Sequence, residues 1–386
     1  MIPYGRQDVT EADIAAVSAV LRSDFLTQGP EIPRFEAALA AACGAKHAVA
    51  VNSATSALHI ACLALGLGPG DLLWTSPNTF VASANCGRYC GADVDFVDVE
   101  PTTGNMSAAA LEAKLVDAER AGRLPKIVVP VHFAGLSCDM AAIHALGQRY
   151  GFRIIEDASH AVGGRYRDEP VGNCRHSDIT VLSFHPVKIV TTAEGGAALT
   201  QDDTLAKALE RLRTHGITRD PAQMVGEPDG PWYYEQIELG YNYRLTDLHA
   251  ALGRSQLDRL GEYVARRAEL AERYDALLGD LPLTLPGRRA DTSSAWHLYV
   301  VRVDEPAGAP PRRTVFDRLR AAGIGVNVHY IPVHWQPYYQ ALGFRRGQFP
   351  QAEAHYAEAI SLPLFPLLTD ERQDEVVAAL RRALGR

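Results

Sequence analysis

One lysine of the chain stands where a charged side chain is costly. Lys188 lies between Val187 and Ile189 in the segment SFHPVKIVTTAEGG, residues 183–196, which is apolar around it and ends in two glycines. Burial lowers the pKa of a lysine and frees its amine to attack a carbonyl carbon, so one use of such a residue is Schiff-base chemistry. Taken alone, Lys188 is better explained as a surface lysine on a strand edge.

A carboxylate at the end of a predicted strand changes that balance. Asp157 ends the segment FRIIED, residues 152–157, and open α/β sheets bind ligands at the carboxyl ends of their parallel strands. Pyridoxal phosphate needs a carboxylate that keeps its pyridine nitrogen protonated, because the ring then accepts electrons from a substrate carbanion. Asp157 also precedes Ala158 and Ser159, so a helix cap explains it equally well.

Small hydroxylated residues predict a phosphate site. The segment NSATSAL, residues 52–58, follows a strand pattern and begins a helix, whose N-terminal amides and dipole attract anions. Its Ser53, Thr55 and Ser56 add donors, and Ser183 could reach the same phosphate from the neighbouring strand. Helix capping alone also explains this segment, and no GxxxxGK[ST] or GxGxxG motif accompanies it.

An aromatic residue completes the set. Phe80, in SPNTFVAS, follows another predicted strand and could stack on a flat ring, although a lone aromatic there is more often part of the core. The lysine, the aspartate, the phosphate segment and the aromatic all fall at one predicted sheet edge. Together they favour a pyridoxal phosphate site over their separate explanations.

Alternating strand and helix patterns position these residues. Strand-like runs lie at 47–52, 71–75, 94–99, 126–131 and 152–157, with helical patterns beginning near residues 55, 79, 107 and 139. The alternation predicts an α/β fold whose mainly parallel sheet is covered by helices on both faces. Runs at 179–184 and 195–200 predict two more strands, as a hairpin or an antiparallel edge.

The pattern changes near residue 246. A helical stretch to about Leu278 is followed by a strand pattern at 297–303, a helix near 313–322 and a strand pattern at 325–330, whereas 218–231 is typical of a surface excursion. We therefore expect two domains. Residues 1–245 form a large α/β cofactor-binding domain, and residues 246–386 form a smaller α+β domain.

Composition and charge argue against several classes of protein. The formal net charge is −8 without a basic face, which argues against nucleic acid as a partner. No signal-peptide pattern and no stretch of membrane-spanning length is present, so we expect no membrane association. The six cysteines are scattered without a CxxC pair, which argues against a metal site and favours the reduced cytoplasm. Cys86 and Cys90, one helical turn apart, are expected to be packing residues.

Taken as a whole, the chain resembles the DegT/StrS-type sugar aminotransferases, a family of fold type I pyridoxal phosphate enzymes. The matching segments run in order along nearly the full length: LTQGP at 26–30, NSATSAL at 52–58, TFVAS at 79–83, EDASHA at 156–161, SFHPVKIVTTAEGG at 183–196, RTHG at 213–216, GYNYRLTD at 240–247, VHYIPVH at 328–334 and SLPLFP at 361–366. The resemblance implies an aspartate aminotransferase-like fold, pyridoxal 5'-phosphate as the cofactor and transaminase activity.

The resemblance also implies a role for each matching residue. Lys188 corresponds to the lysine that binds the cofactor and shuttles the proton, Asp157 to the partner of the pyridine nitrogen, and His160 to a polar neighbour of the ring hydroxyl. These three are the expected catalytic residues. The other expected cofactor contacts are Ala54, Thr55, Phe80, Ser183 and Asn242.

Two further expectations concern the second subunit and the substrate. Asn242, in GYNYR, corresponds to a residue donated by the other subunit, which implies a homodimer with shared active sites; without the resemblance, GYNYR is only a turn before a helix capped at Thr246. The expected substrate contacts are Tyr4, Gln28, His215, His329 and Tyr330.

Within the family, the lysine, LTQGP, NSATSAL and ASHA segments are most similar to the aminotransferases of the pseudaminic acid pathway. That similarity implies transfer of an amino group from L-glutamate to C4 of a UDP-linked 4-keto-6-deoxy-HexNAc sugar. Sugar pockets are built from variable loops, so the keto sugar, the nucleotide and the stereochemistry stay open, as does any assembly beyond a dimer.

Three other functions compete with this interpretation. Some members of the family dehydrate a sugar, but those carry histidine where this chain has Lys188. A different fold type I enzyme, such as a threonine aldolase or a cysteine desulfurase, disagrees with GYNYR and VHYIPVH. A non-catalytic protein that keeps the fold would be expected to lack Lys188 or Asp157, and both are present.

Overall fold

The computed structural model describes residues 1–386. Its helices are α1 (Glu11–Leu21), α2 (Glu31–Cys43), α3 (Ala54–Ala64), α4 (Ala82–Tyr89), α5 (Ala108–Arg120), α6 (Met140–Tyr150), α7 (Asp203–Arg213), α8 (Asp247–Leu257), α9 (Leu260–Leu278), α10 (Arg312–Ala321), α11 (Pro337–Ala341), α12 (Pro350–Glu358) and α13 (Asp370–Leu384). Its strands are β1 (His47–Val51), β2 (Leu72–Thr75), β3 (Asp93–Phe96), β4 (Ile127–Val129), β5 (Arg153–Asp157), β6 (Arg165–Tyr166), β7 (Glu169–Pro170), β8 (Ile179–Ser183), β9 (Gly196–Thr200), β10 (Ile217–Thr218), β11 (Glu235–Gln236), β12 (Leu283–Thr284), β13 (Thr292–Ser293), β14 (Tyr299–Val303) and β15 (Ala359–Leu362).

A seven-stranded sheet organises the first half of the chain. Its strand order is β1-β9-β8-β5-β4-β2-β3, and β3, β2, β4, β5 and β8 pair in parallel. Strand β9 runs antiparallel to both of its neighbours, β8 and β1. The predicted hairpin of the last two strands is therefore confirmed, but β9 is not an edge, because β1 covers its free side.

Helices cover both faces of this sheet, as the alternating pattern predicts. In β5, the side chains of Ile154 and Ile155 enter hydrophobic clusters on opposite faces, as neighbouring residues of a strand must. Helices α3 and α4 pack on one face, while α5 and α6 contribute Leu111 and Ile143 to the other. Cys86 and Cys90 are buried in the α3–α4 layer and serve as packing residues.

The last third of the chain builds a second hydrophobic cluster. Strands β12, β14 and β15 form an antiparallel sheet that packs with α9, α10 and α13. The helical stretch predicted from 246 to 278 is two helices, broken at Asp258 and Arg259. Helix α8 packs on α1 and α2 rather than on this cluster, and the division into domains at residue 245 stays a prediction.

One strand prediction is wrong. Residues 325–330 form no strand and make only an isolated bridge between Asn327 and Ser361. His329 and Tyr330, which are neighbours in sequence, both line one cavity instead of alternating across a sheet. The segment 218–231 does lie at the surface, where Val225 is almost fully exposed. None of the helices combines the length and the apolar run needed to span a lipid bilayer.

Candidate active site

A cavity of about 410 Å³ opens where the strands of the central sheet end. Residues that follow β1, β2 and β4 and residues that end β5 and β8 line it, so five elements converge there. Tyr4 of the N-terminal segment and the adjacent residues His329 and Tyr330 also line it. Ligands of open α/β sheets bind in this location.

Lys188 enters the cavity from the connection between β8 and β9. Its backbone N–H donates to the carbonyl oxygen of His185 at 2.8 Å, which holds the turn that presents the side chain. Burial lowers the pKa of Lys188 from 10.5 to about 8, although the charge of Asp157 acts in the opposite direction. The ammonium group has no ion-pair partner in the chain, and the lowered pKa leaves about one molecule in ten with a neutral amine at pH 7.

Both oxygens of the Asp157 carboxylate are held by hydrogen bonds. Ser83 Oγ donates to Oδ2 at 2.6 Å, and the backbone N–H of Ser159 donates to Oδ1 at 3.1 Å. Thr79 lies 2.7 Å from Ser83 and completes a chain of hydroxyl groups that orients the donor. The carboxylate is 5% exposed and lines the cavity, so its direction is fixed before any ligand binds.

A buried ion pair supports the backbone that carries Asp157. His132 Nε2 lies 2.7 Å from Glu156 Oε2, and both side chains are buried beneath the cavity wall. The backbone N–H of His132 donates to the carbonyl oxygen of Asp157 at 3.0 Å. The chain after β4 is therefore hydrogen-bonded to the end of β5, at the position of Asp157.

The first turn of α3 provides an anion site. Ser53 caps the helix by accepting the backbone N–H of Ser56 at 3.1 Å, and the N–H groups of Ala54 and Thr55 have no acceptor within the helix. All of these residues except Ser56 line the cavity, together with Ser183 at the end of β8. Free amides, hydroxyls and the positive end of the helix dipole suit a phosphate group.

Close packing behind α3 sets the position of this turn. Gly196 opens β9 opposite the start of the helix, and a Cβ atom at that position would collide with the backbone nitrogen of Ala54. Only glycine lets the strand approach so closely. The end of the segment SFHPVKIVTTAEGG thus positions the anion site as well as the lysine.

Aromatic side chains surround the lysine. Phe80 is 58% exposed although it is a large apolar residue, and its ring lies 6.4 Å from that of Tyr330. The Tyr330 hydroxyl is 3.1 Å from His160 Nε2, and the N–H of Ala134 donates to His160 Nδ1. Because Nδ1 accepts, a neutral His160 carries its proton on Nε2 and donates to Tyr330.

The histidines of the site are held neutral. The pKa of His160 lies well below its usual range because of burial, with the charges of Lys188 and His329 adding to the effect. Burial and the charge of Lys188 likewise lower the pKa of His329 to about 4. Tyr4 packs 5.4 Å from the His329 ring, and burial raises its pKa above the usual value.

The structure brings most of the predicted residues together. Lining the same cavity are Tyr4, Ala54, Thr55, Phe80, Asp157, His160, Ser183, Lys188, His329 and Tyr330. Gln28, His215 and Asn242 do not line it. Gln28 instead borders a second cavity of about 330 Å³ with Arg213 and Arg244.

Two of the residues outside the cavity have an unusual backbone. Gln28 and His215 adopt positive φ angles of 56° and 59°, which residues other than glycine rarely do. Such conformations concentrate at functional sites. Asn242 pairs through its backbone with Thr214, one residue before His215, so these two segments are joined at one surface.

Sequence reasoning missed two side chains of the site. Ser83 lies within the TFVAS segment, where its position one helical turn beyond Thr79 was the available signal. His297 also lines the cavity, 4.4 Å from the His160 ring. No local pattern marks His297, because it reaches the site through the folding of a distant part of the chain.

The residues present fit pyridoxal phosphate. The lysine suits its aldehyde, the fixed carboxylate suits a ring nitrogen, and the first turn of α3 suits its phosphate. The exposed face of Phe80 suits its flat ring. The cavity therefore offers a partner for the aldehyde, the ring nitrogen, the phosphate and the ring face of this cofactor.

Comparisons with known proteins agree with this geometry. Residues 7–381 match the model of the DegT/DnrJ/EryC1/StrS aminotransferase family. The chain is 40% identical to the spore coat polysaccharide biosynthesis protein SpsC of Bacillus subtilis over 383 residues, which cover 98% of this chain and 96% of SpsC. Two solved structures superpose over 100% of this chain and 99% of their own, each with 30% identity and a TM-score of 0.90. They are the PMP form of Spr1654 from Streptococcus pneumoniae, which is also known in a PLP form, and PseC of Helicobacter pylori, an aminotransferase involved in the biosynthesis of pseudaminic acid.

Proposed function

The chain belongs to the DegT/DnrJ/EryC1/StrS aminotransferase family, and we propose that it transfers an amino group from L-glutamate to C4 of a UDP-linked 4-keto-6-deoxy-HexNAc sugar. Proteins of this family are sugar aminotransferases of fold type I that depend on pyridoxal phosphate. The observation that carries the proposal is Lys188, a lysine without an ion-pair partner that lines the cavity also lined by Asp157.

Lys188 is the base and acid of the proposed reaction. Bound pyridoxal phosphate would supply an aldehyde carbon and a ring that takes up the electron pair left on a carbon that loses its proton. Lys188 is the residue that would hold that aldehyde, and its free amine would take the proton from the α-carbon of glutamate. In the second half of the reaction, the same amine returns a proton to C4 of the sugar.

The environment of Lys188 favours this role. Lowering its pKa from 10.5 to about 8 increases the neutral fraction near pH 7 by about 300-fold. About one molecule in ten then carries a neutral amine, which is the form that attacks a carbonyl or accepts a proton. An ordinary surface lysine would almost never be neutral at that pH.

The other residues bind and orient. Asp157, with both oxygens fixed, holds the proton on the pyridine nitrogen. The first turn of α3 and Ser183 bind the phosphate, and Phe80 packs against the ring face. Orientation of this kind matters because the cofactor carries the electronic part of the reaction.

A second subunit completes the proposed site. The cavity is lined by no arginine and by a single lysine, whereas glutamate brings two carboxylates and a nucleotide sugar brings a diphosphate. Cations from elsewhere are therefore needed. Asn242, Gln28 and His215 lie outside the cavity of their own chain, which supports a homodimer in which they face the site of the partner.

The identity of the sugar substrate is the most specific part of the proposal. The overall similarity to PseC supports a sugar of the pseudaminic acid type. The 40% identity to SpsC supports a second candidate, a different nucleotide-linked keto sugar that is destined for a polysaccharide and aminated at C4 or another position. The presence of Lys188 favours either candidate over a sugar dehydratase. Location in the cytoplasm, where nucleotide sugars are made, stays a prediction.

One assay separates these candidates. Purified protein loaded with pyridoxal phosphate is incubated with L-glutamate and a panel of UDP-keto-sugars, and the products are identified by NMR. The proposal predicts an amine at C4 of the 4-keto-6-deoxy-HexNAc substrate and no product from the Lys188→Ala variant. Amination at C3 or of a different sugar would favour the second candidate, and loss of water without amination would reject both.

A further inference from the structure

A buried arginine without a carboxylate partner lies behind the cavity wall. Arg267, on α9, is 1% exposed and forms no ion pair. Its Nη1 donates to the carbonyl oxygens of Leu364, Trp296 and His297 at 2.9, 3.1 and 3.4 Å. A buried charge that has only neutral acceptors is costly, so its presence calls for a physical explanation.

The residue that Arg267 holds faces the active site. His297 is 4% exposed, lines the cavity and packs its ring 4.4 Å from that of His160. Its Nδ1 is buried and has no hydrogen-bond partner. His160 in turn meets the Tyr330 hydroxyl, so a continuous path leads from Arg267 through two imidazole rings to the residues around Lys188.

We infer that Arg267 is a positioning residue of the active site, which fixes the backbone at Trp296 and His297 and places a permanent positive charge next to His297, the residue that packs on His160. This inference rests on the proposed function, because it gives His160 its role beside the bound cofactor. In an uncharged His160 ring, Nε2 carries the proton and Nδ1 accepts the hydrogen bond from the Ala134 N–H. A protonated ring would carry a proton on both nitrogens and would lose that hydrogen bond.

The charges around His160 and His297 explain why no carboxylate lies beside Arg267. The titratable groups on the surrounding elements are Lys188, Arg267, His329, Asp157 and Tyr330, and Tyr4, His185 and Glu194 also line the cavity. Burial lowers the pKa of His297 well below its usual range, and the charges of His160, Lys188 and Arg267 follow in that order. A carboxylate beside Arg267 would cancel its field and favour protonation of the pair.

Arginine suits this task better than lysine. Burial lowers the pKa of Arg267 only to about 10, so the guanidinium stays charged at neutral pH. All three carbonyl oxygens accept from one nitrogen, Nη1, and the delocalised guanidinium keeps its charge on burial more readily than an ammonium group does. A lysine at this position would keep less of the charge, because burial lowers the pKa of an ammonium group, as it does for Lys188.

Histidine NMR of the protein loaded with pyridoxal phosphate tests the inference. We expect His160 and His297, assigned with the His160→Asn and His297→Asn variants, to stay uncharged in the wild type down to pH 5. Arg267→Met is expected to raise the pKa of at least one of them by about one unit, because a nearby cation is lost. Arg267→Lys is expected to shift the titration by less than Arg267→Met does, because a buried lysine keeps part of the charge.

The outcomes separate the inference from the proposed function. Protonation of the pair near pH 6.5 in the wild type would overturn the inference, and this measurement does not depend on whether Arg267→Met folds. Equal titration in the wild type and a folded Arg267→Met would also overturn it, since burial alone would then suffice. Failure of the wild type to bind pyridoxal phosphate would reject the proposed function, while the histidine titration would remain readable in the same sample.

Discussion

The reactivity of Lys188 should depend on pH with an unusually low midpoint. Only the neutral amine attacks an aldehyde, and burial lowers the pKa of this lysine from 10.5 to about 8. The rate at which the protein captures pyridoxal phosphate should therefore rise about tenfold per pH unit up to pH 8 and level off above it. At pH 7 the neutral fraction exceeds that of an ordinary lysine by about 300-fold.

Stopped-flow absorbance measures this rate when protein freed of cofactor is mixed with pyridoxal phosphate between pH 6 and 10. Capture by Nα-acetyl-lysine under the same conditions is the control, because ionisations of the cofactor affect both reactions equally. The Asp157→Asn variant should move the midpoint to lower pH, since the Asp157 charge is what raises the pKa of Lys188. A rate that keeps rising to pH 10 in the wild type would refute the reasoning.

Three substitutions test other parts of the site. Ser83→Ala removes the 2.6 Å hydrogen bond to the Asp157 carboxylate, which is worth about 1.5–3 kcal/mol. The half-reaction with glutamate, followed by single-turnover absorbance, should slow about tenfold. A rate within about twofold of wild type would contradict the role of Ser83 in orienting Asp157. Gly196→Ala should displace the first turn of α3 and weaken phosphate binding at least tenfold by calorimetry, whereas Gly68→Ala, which meets open space, should not. Lys188→Met should raise the free energy of unfolding of the cofactor-free protein in urea by about 1 kcal/mol below pH 8, because a charge is removed from a half-buried site. This gain in stability should shrink as the pH rises through 8, where the wild-type lysine loses its charge. A loss of stability would argue against a desolvated lysine.

Residues at the ends of predicted strands could be placed from the sequence. Asp157 and Ser183 end strands whose β-branched residues mark them clearly, and Ala54 and Thr55 follow a strand and begin a helix. The carboxyl ends of parallel strands meet at one sheet edge, so a local pattern was enough to bring these residues together.

Residues that reach the site through tertiary packing could not be placed in this way. His297 and Arg267 meet the cavity wall because α9 and the chain before β14 pack together, and nothing in their neighbouring residues marks that contact. The alternation of Val326, Val328 and Tyr330 predicted a strand at 325–330, but Val326 packs in the second hydrophobic cluster whereas Tyr330 lines the cavity. Asn242, Gln28 and His215 do not line the cavity of their own chain, so the homodimer that would give them a role there stays a proposal.

Reduction with sodium borohydride gives the most direct test of the account. Protein incubated with pyridoxal phosphate is reduced, digested and examined by peptide mass spectrometry, with Lys188→Ala treated in parallel. The account predicts one phosphopyridoxyl group per chain, on the peptide that contains Lys188, and none in the variant. Stable attachment to a different lysine, or no attachment at saturating cofactor, would contradict the claim that this amine performs the chemistry.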